Sequence, residues 1–328
     1  GVAGMAGVAG MAGVAGMAGA AGTAGVAGTA GVAGTAGIAG TAGVAGTAGS
    51  GGGTPTSYFG FAPQPNAANA SAFQPSSWYS VWWGNFVKDC GNGEARVAAN
   101  IGDNQTFSEG IGYGMLLAVG NDDRGTFDKL WTYYQNRVDT YGLMDWKINA
   151  CTTERWGSFA ATDGDEDVAM ALIQADSKWG GYASAARTLI TAIKDHETSQ
   201  STNPIYLRPG DAANNGGKGE GIVNPSYFAP GYWHVWATFM NDPFWNQLAD
   251  AAYVMLASFQ GLTISGAKNL VPDWGTSGGA LTSYGTTYYY DACRTPWRVA
   301  VDYAWFGDSR AQQFLTNISS YVDTHGGI

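Results

Sequence analysis

Four carboxylates are gathered in one short stretch of the chain: Asp163, Asp165, Glu166 and Asp167. They stand at the start of a segment, Ala161–Trp179, whose apolar residues recur about every 3.6 positions, as in a buried helix. The unpaired N–H groups at a helix start stabilise negative charge, so we expect these acids to stay ionised in a pocket without Lys or Arg partners. Ordinary helix capping and solvation would explain the cluster equally well. Further acids at Glu109 and Asp291, at or just before predicted helix starts, favour a chemical role.

Two carboxyl groups that face each other across a sugar linkage are sufficient for glycoside hydrolysis, since one protonates the leaving oxygen and the other activates water or attacks. Glu109 is the candidate general acid because it follows Ser108, a good N-cap, and opens a glycine-rich run that a ligand can approach closely. A helix start lowers a carboxyl pKa, whereas a general acid at neutral pH needs a raised one. Ionised Asp163 nearby and desolvation by aromatic residues would reverse that shift. An ordinary first-turn acid is the alternative for Glu109.

Asp291 is the candidate general base. It lies between three tyrosines, Tyr288–Tyr290, and the basic residues Arg294 and Arg298. Aromatic groups on one side and guanidinium groups on the other suit a carboxylate that is kept ionised. An ordinary Asp–Arg ion pair is the alternative.

Aromatic residues in predicted loops indicate the class of substrate. Flat aromatic faces in a cleft can hold the apolar faces of pyranose rings while the polar edges of the sugar stay hydrated. The candidates are Trp146, Trp156, Trp274, Tyr206, Tyr227 and Phe228. Packing in the core is the alternative for the last three. For Trp78, Trp82, Trp131, Trp236 and Trp305, which recur at helical spacing, we expect packing.

Helical patterns dominate the part of the chain that must position these residues. The predicted helices are Ser77–Asp89, Ser108–Val119, Thr126–Val138, Asp165–Trp179, Tyr182–Ile193, Pro225–Met240, Pro243–Phe259, Thr295–Phe306 and Ser309–Asp323. Helices that are apolar on most sides alternate with helices that have one apolar face, which predicts enclosed helices covered by outer ones. Such antiparallel pairs predict an (α/α) barrel in which all inner helices start at one end. That end would bring Glu109, Asp163, Tyr227 and Asp291 into one cleft. Strand-like runs such as Thr286–Tyr290 are short.

A three-residue repeat fills residues 1–49, with Gly at every third position and mostly Ala before it. This segment has almost nothing large to bury, so we interpret residues 1–53 as a disordered Gly–Ala spacer, with a bundle of extended glycine helices as the alternative. One globular domain would follow over residues 54–328. The chain lacks an initiating Met and a basic signal-peptide start, so we expect a processed or truncated piece of an extracellular protein.

The formal charge of −10 argues against nucleic acid as a partner, and the weakly apolar repeat is a poor candidate for a membrane span. The three cysteines and three histidines show no metal-ligand spacing, so we expect neither a metal nor a cofactor. One disulfide plus one free thiol would suit an exported protein, with Cys90–Cys151 as the pairing. Three buried free cysteines are the alternative.

The motifs together resemble glycoside hydrolase family 8. The matching pieces are Ser108-Glu-Gly-Ile-Gly-Tyr-Gly-Met115, Ala161-Thr-Asp-Gly-Asp-Glu-Asp-Val-Ala169, Asn224-Pro-Ser-Tyr-Phe-Ala-Pro230 and Tyr290-Asp-Ala-Cys-Arg-Thr-Pro-Trp-Arg298. The resemblance implies an (α/α)6 barrel and endo-hydrolysis of β-1,4 glycans with inversion at the anomeric carbon. Few residues follow Asp291, whereas the family's domain has several more helices, so we expect a barrel that is incomplete at its C-terminal end.

The resemblance also implies roles for single residues. Glu109 corresponds to the general acid, Asp291 to the general base and Asp163 to the residue that holds the sugar distorted. Tyr227 resembles the residue that positions the attacking water, and we expect Trp146, Arg294 and Tyr290 to bind substrate.

The sequence thus predicts a secreted, monomeric, inverting endo-β-1,4-glucanase that acts on cellulose and possibly lichenan. An Asp at position 291 resembles the branch with cellulases and xylanases, so chitosan is the less favoured substrate. A xylanase or chitosanase of the same family is one alternative. A glycan-binding protein without catalysis and a structural protein built on the repeat are the others.

Overall fold

The computed structural model describes residues 75–211 and 218–325. The predicted spacer, residues 1–53, lies outside the described residues, as does the predicted domain up to residue 74. The α-helices in the described part of the chain are α1 (Pro75–Phe86), α2 (Ser108–Gly120), α3 (Arg124–Gln135), α4 (Thr162–Trp179), α5 (Ala183–His196), α6 (Pro230–Met240), α7 (Phe244–Gly261), α8 (Thr295–Phe306) and α9 (Ser309–Thr324). Single 3-10 turns at Pro225–Tyr227 and Ala292–Arg294 precede α6 and α8.

Short strands occupy the connections between the helices. They are β1 (Val87–Gly91), β2 (Glu94–Val97), β3 (Gln105–Phe107), β4 (Asp145–Asn149), β5 (Arg155–Ala160), β6 (Thr198–Ser199), β7 (Tyr206–Leu207), β8 (Ile222–Val223) and β9 (Gly275–Thr276). All pairs are antiparallel: β1 with β2, β3 with β4 and β5, β6 with β7, and β8 with β9. The helices are much longer than these small sheets, and the fold class is all-α.

Eight of the helices form four hairpins: α2 with α3, α4 with α5, α6 with α7, and α8 with α9. The first helices α4 and α6 bury most of their residues, as the hydrophobic pattern predicts. The prediction is wrong for α8, which buries only Thr295, Arg298, Val299 and Asp302. Helix α4 buries every residue from Thr162 to Ile173. Helix α5 buries a single stripe, Ala186, Leu189, Ile190 and Ile193, whose spacing is that of one helical face.

Two glycines allow the enclosed helices α2 and α4 to pack backbone to backbone. A Cβ atom at Gly112 would lie 2.6 Å from the Cβ of Asp167, and one at Gly164 would lie 2.8 Å from the backbone nitrogen of Glu109. Any larger side chain would push the helices apart. The absence of these two side chains therefore sets the distance between the start of α2, with Glu109, and the start of α4, with Asp163.

The structure departs from the sequence expectations in the connections. The predicted helix Ser77–Asp89 ends at Phe86, where β1 begins, and the predicted helix Pro225–Met240 is a 3-10 turn followed by α6. Pro230 at the start of α6 explains that break, since proline favours the first helical position and cannot continue a helix from before it. The strand-like run Thr286–Tyr290 forms no strand. Trp146 and Trp156, expected in loops, lie on β4 and β5.

The predicted disulfide is confirmed. Cys90 in β1 and Cys151, just after β4, are bonded, with their Cα atoms 5.4 Å apart, and Cys293 is free and exposed. Two alternatives are thereby excluded: all three cysteines being free, and all three being buried. Within the described residues, no helix combines the length and apolar character that a membrane crossing needs.

Candidate active site

One arginine binds all three predicted catalytic carboxylates. Arg294 ends the 3-10 turn before α8, and its Nη1 donates to Glu109 Oε1 and, over 3.0 Å, to Asp163 Oδ2. Its Nη2 donates to Asp291 Oδ1 over 2.9 Å and to Ser226 Oγ over 3.1 Å. Residues that lie far apart in sequence therefore meet at one guanidinium group, at the end of the helical layer where α2, α4 and α8 begin.

The two candidate proton-transfer groups lie on opposite sides of this guanidinium. Both carboxylates contact the same guanidinium, Glu109 at Nη1 and Asp291 at Nη2, so their facing oxygens lie no more than about 8 Å apart. An inverting mechanism needs roughly 6.5–9.5 Å between the two carboxyl groups, and this upper limit is compatible with it. The side chains of Glu109 and Asp291 are 31% and 29% exposed, whereas that of Asp163 is 3% exposed. Two of the three carboxylates are therefore open to a ligand and the third is enclosed.

Further side chains hold the two outer carboxylates. The Tyr113 hydroxyl donates to Glu109 Oε1 over 2.8 Å from the next turn of α2. The amide nitrogen of Asn224 donates to Asp291 Oδ2 over 3.0 Å, while its Oδ1 caps the 3-10 turn by accepting from Ser226 N. Asn224 is fully buried, so the direction of this donor is fixed by the fold.

Asp273 supports the turn that carries Asp291. Its Oδ1 accepts from the backbone nitrogens of Ala292, over 2.8 Å, and Tyr289, over 3.1 Å. Sequence reasoning missed both Asn224 and Asp273 as functional residues. Asn224 opens one of the motifs that carry the family resemblance, which is the signal that could have found it. Asp273 has no comparable local signal.

Burial dominates the electrostatics of the enclosed groups. It raises the pKa of Asp163 well above its usual value, the charge of Glu109 adds to the rise, and Arg294 and Arg298 oppose it. Burial, followed by the charge of Asp163, also raises the pKa of Tyr227. The Tyr227 ring lies under Arg294, 5.5 Å from the guanidinium carbon. Its phenol is therefore a neutral hydrogen-bonding group beside the carboxylates.

The acidic cluster on α4 is not the partner-free group that the sequence analysis expects. All four acids are buried, and two of them pair with arginines. Asp163 binds Arg294, and Asp167 forms a two-pronged pair with Arg298 over 2.7 and 2.9 Å. The Tyr134 hydroxyl donates to Asp165, and Trp233 Nε1 donates to Glu166 over 2.6 Å. The helix terminus alone does not support these charges, because burial is the larger effect and raises the pKa of all four acids, that of Asp165 to about 8.

The predicted cleft aromatics divide into two groups. Trp146 stacks almost parallel on Phe107, with ring centroids 5.7 Å apart, and Lys147 Nζ lies within 6 Å of both rings and of Trp156. A Cβ at Gly157 would collide with the Trp146 indole, so that glycine leaves room for the stacked ring. Trp156 is exposed, and Trp274 contacts the edge of Tyr227. These rings are available for a ligand.

The remaining candidates differ from expectation. Tyr206 and Phe228 are fully buried, so for them the packing alternative is correct. Trp78, expected to pack, is 65% exposed. Tyr290 is also exposed and contacts Tyr289, with ring centroids 4.3 Å apart. Among the described residues, neither the Tyr290 nor the Trp146 side chain forms a hydrogen bond to Arg294 or to the three carboxylates that it binds.

Comparisons with known proteins identify the family of this chain. The model of the family described as Glycosyl hydrolases family 8 matches residues 58–325. Endoglucanase A of Acetivibrio thermocellus is 36% identical over 271 residues, which are 80% of this chain and 55% of that protein. Beta-glucanase of Niallia circulans is 31% identical over 292 residues, which are 81% of this chain and 70% of that protein. The chain spans about half the length of the first curated relatives it matches.

Solved structures agree with the fold. A beta-1,3-1,4-glucanase from Paenibacillus sp. X4 superimposes with a TM-score of 0.71 at 30% identity, over 82% of this chain and 76% of that one. Rex8A from Paenibacillus barcinonensis, at 21% identity, gives a TM-score of 0.65 over 79% of this chain and 75% of that one. These neighbours are (α/α)6 barrels, and the predicted fold class is confirmed. The chain belongs to glycosyl hydrolase family 8.

Proposed function

We propose that this chain is an inverting endo-β-1,4-glucanase. The observation that carries the proposal is the convergence of Glu109, Asp163 and Asp291 on Arg294, with the side chains of Glu109 and Asp291 partly exposed. The proposal expects these two carboxyl groups to lie roughly 6.5–9.5 Å apart when substrate is bound, with a water molecule between them. Relatives described as endoglucanase and beta-glucanase support a glucan as the substrate.

In the proposed reaction Glu109 protonates the oxygen of the scissile linkage while Asp291 removes a proton from a water molecule on the opposite face of the sugar. The water oxygen bonds to the anomeric carbon as the leaving sugar departs with the proton of Glu109, so the configuration inverts. Tyr227, neutral beside the carboxylates, orients the water. Asp163 accepts hydrogen bonds from the distorted sugar.

Arg294 adds a requirement to this scheme. A guanidinium favours the ionised form of a neighbouring carboxyl group, whereas a general acid must carry its proton. Glu109 therefore has to lose its contact with Arg294 Nη1 when substrate enters. Asp163 remains as a partner for that nitrogen, so the arginine charge stays paired while the sugar takes the place between the two groups.

The wider setting follows from the same chemistry. Cellulose is the proposed polymer. Secretion of the protein is proposed because disulfides such as Cys90–Cys151 form in oxidising compartments. The proposed oligomeric state is a monomer that has neither nucleic-acid nor membrane partners. Stacked and exposed rings at Trp146 and Trp156 would hold further glucose units along the chain.

The test is reducing-end release from carboxymethyl cellulose, lichenan, xylan and chitosan by the purified chain, with the anomer of the first product followed by NMR. Glu109→Gln and Asp291→Asn should each lower turnover by about 10²–10⁴-fold while glucan binding changes little, since each removes one proton-transfer group. Asp195→Asn, an exposed acid on the outer helix α5, is the matched control.

Four results would contradict the proposal. A first product that retains the β configuration would exclude inversion, and near-normal rates in either variant would exclude the assigned roles. Tight glucan binding without cleavage by the unaltered chain would favour the glycan-binding alternative, and preferential cleavage of xylan would move the substrate to the xylanase alternative.

A further inference from the structure

A second group of ionisable side chains converges away from Arg294. It consists of His234 on α6, Asp302 on α8 and Asp308 in the turn between α8 and α9. His234 Nε2 lies 3.6 Å from Asp302 Oδ1 and 4.0 Å from Asp308 Oδ2, and the three atoms all lie within 4.8 Å of one another. Three potential ligand atoms from two different helical hairpins thus face one small volume.

The buried carboxylate in this group lacks a partner on one side. Asp302 is fully buried, and its Oδ1 accepts no hydrogen bond from the described residues. The 3.6 Å that separates it from the imidazole nitrogen is too long for a hydrogen bond. A buried carboxylate oxygen without a donor is costly, so the position in front of Oδ1 suits a positively charged group that is not a side chain.

Hydrogen bonds from neighbouring residues orient each of the three side chains. Asn246 Oδ1 accepts from His234 Nδ1 over 2.8 Å, which leaves the lone pair on Nε2 directed at the carboxylates. The Tyr253 hydroxyl donates to Asp302 Oδ2. Outer hydrogen bonds of this kind orient metal ligands and fix the imidazole tautomer.

Asp308 is held by the start of α9. Its Oδ1 accepts from the backbone nitrogen of Arg310 over 2.7 Å, and its Oδ2 accepts from Arg310 Nη2, also over 2.7 Å. Arg310 Nε also contacts both oxygens, Oδ1 over 3.1 Å and Oδ2 over 3.2 Å, so a metal ion at Oδ2 would replace the longer Nε contact. Arg310 also pairs with Asp250, so the neighbourhood holds three carboxylates and one guanidinium.

We propose that His234, Asp302 and Asp308 bind a divalent transition-metal ion of the zinc class, which ties the α6–α7 hairpin to the α8–α9 hairpin. One imidazole nitrogen and two carboxylate oxygens suit Zn²⁺ better than Ca²⁺, which prefers oxygen ligands alone. Ligands about 2.0–2.2 Å from a tetrahedral ion lie roughly 3.5 Å apart. The observed separations are 3.6 and 4.0 Å from His234 and at most 4.8 Å between the two aspartates, so the two carboxylates must move together when the ion binds. His234 and Asp308 are partly exposed, which gives the ion an entry path and a water as fourth ligand.

This site departs from the expectation that the chain binds no metal. That expectation rests on the spacing of cysteines and histidines, and one histidine with two aspartates 68 and 74 positions further on has no local spacing to detect. The fold brings them together because α6 and α8 pack as neighbours. Gly231 makes that contact close, since a Cβ there would lie 3.0 Å from the Asp302 backbone.

The competing occupant is a proton. A protonated His234 would place its Nε2–H between the two carboxylates and neutralise part of the same charge. Proton and metal are mutually exclusive at Nε2, so metal binding and the charge state of His234 can be separated by experiment.

The experiment measures Zn²⁺ binding to the full chain by calorimetry and by metal analysis after dialysis against chelator. All proteins carry Cys293→Ser, because the exposed thiol is an independent zinc ligand. The reference protein should bind one Zn²⁺ per chain and gain thermal stability from it. His234→Gln and Asp308→Asn should each weaken binding at least about tenfold, and His196→Gln, which removes a histidine outside the cluster, should not.

Asp308→Asn keeps the proposal testable if His234→Gln fails to fold, because an asparagine at this position still caps α9. Absence of stoichiometric Zn²⁺ binding in the reference protein would overturn the proposal, as would equal weakening by His196→Gln. A His234 ring that NMR shows to be doubly protonated at neutral pH with Zn²⁺ present would favour the proton. Glucan hydrolysis plays no part in these readouts, so they stand apart from the proposed activity.

Discussion

The contact between α2 and α4 can be tested by adding a single methyl group. In Gly112→Ala the new Cβ would lie 2.6 Å from the Cβ of Asp167 and 3.0 Å from the carbonyl oxygen of Gly164. Neither atom is the far end of a flexible side chain, so the two helices must separate by about 1 Å to restore normal contact. That movement would shift Glu109 relative to Asp163 and strain the pair between Asp167 and Arg298.

The expected cost follows from two opposing effects. Overpacking of this kind costs about 1–3 kcal/mol, with the close approach placing this site at the upper end. Replacing a helical glycine by alanine stabilises the helix by about 0.5–1 kcal/mol, which offsets part of this cost. We therefore expect Gly112→Ala to lower the free energy of unfolding by about 2 kcal/mol, which corresponds to a fall in Tm of roughly 4–8 °C for a domain of this size.

Gly110→Ala is the matched control in the same helix. A Cβ there would lie 3.6 Å from Val97, an ordinary contact, so the gain in helix propensity should leave the protein unchanged or slightly more stable. Urea unfolding followed by circular dichroism measures both variants. Two results would contradict the prediction: Gly112→Ala being as stable as the unaltered protein, or both variants losing the same stability. Either would show that the missing side chain at Gly112 does not set the distance between α2 and α4.

Two further predictions concern the buried acids of α4. Asp167→Asn leaves the buried Arg298 charge unpaired and should lower the free energy of unfolding, measured by urea titration, by about 3–5 kcal/mol. The control Asp89→Asn breaks the exposed pair with Lys129 and should have almost no effect. Equal losses of stability in the two variants would contradict the reasoning. Burial raises the pKa of Asp165 to about 8, above its unfolded value, so the folded state binds the extra proton and stability should fall as pH rises from about 4 to 8. Asp165→Asn can keep the Tyr134 hydrogen bond and should reduce the difference between the free energies of unfolding at pH 5 and pH 8. If this difference is unchanged in the variant, Asp165 is not the cause of the pH dependence of stability.

The sequence predicts the helical layer well because its signal is local. Helices that are apolar on most sides alternate with helices that have one apolar face, and this pattern predicts the four hairpins and the start of α8 at Thr295. The short strands escape prediction, since β4 and β5 hold only five and six residues and their burial does not alternate. Trp146 and Trp156 were therefore expected in loops.

The candidate site divides in the same way. Glu109, Asp163 and Asp291 are recognisable because each stands at a helix start, and the barrel geometry requires those starts to meet. Asp291 has a local partner in Arg294, three positions further on. The contacts of Arg294 with Asp163 and Glu109 join residues more than a hundred positions apart, and neither residue's immediate neighbourhood indicates them. Asp273 acts on the site only through backbone nitrogens, so nothing in its neighbourhood marks it.

One spacing in the sequence does contain this pairing. Asp163 and Asp167 are four positions apart at the start of α4, and Arg294 and Arg298 are four positions apart at the start of α8. Residues at this spacing share one helix face, so the two acids and the two arginines form consecutive rungs between the helices.

The lower rung, Asp167 with Arg298, is sealed from solvent, and a sealed ion pair adds little net stability because desolvation offsets its attraction. Its effect is on register. Sliding α8 by one turn against α4 would leave a buried charge unpaired, so the lower rung fixes the height at which Arg294 meets Asp163 and, through it, Glu109 and Asp291. The buried pair of Asp167 and Arg298, one helical turn from the catalytic carboxylates and out of reach of a polysaccharide, thereby sets the geometry of Glu109 and Asp291.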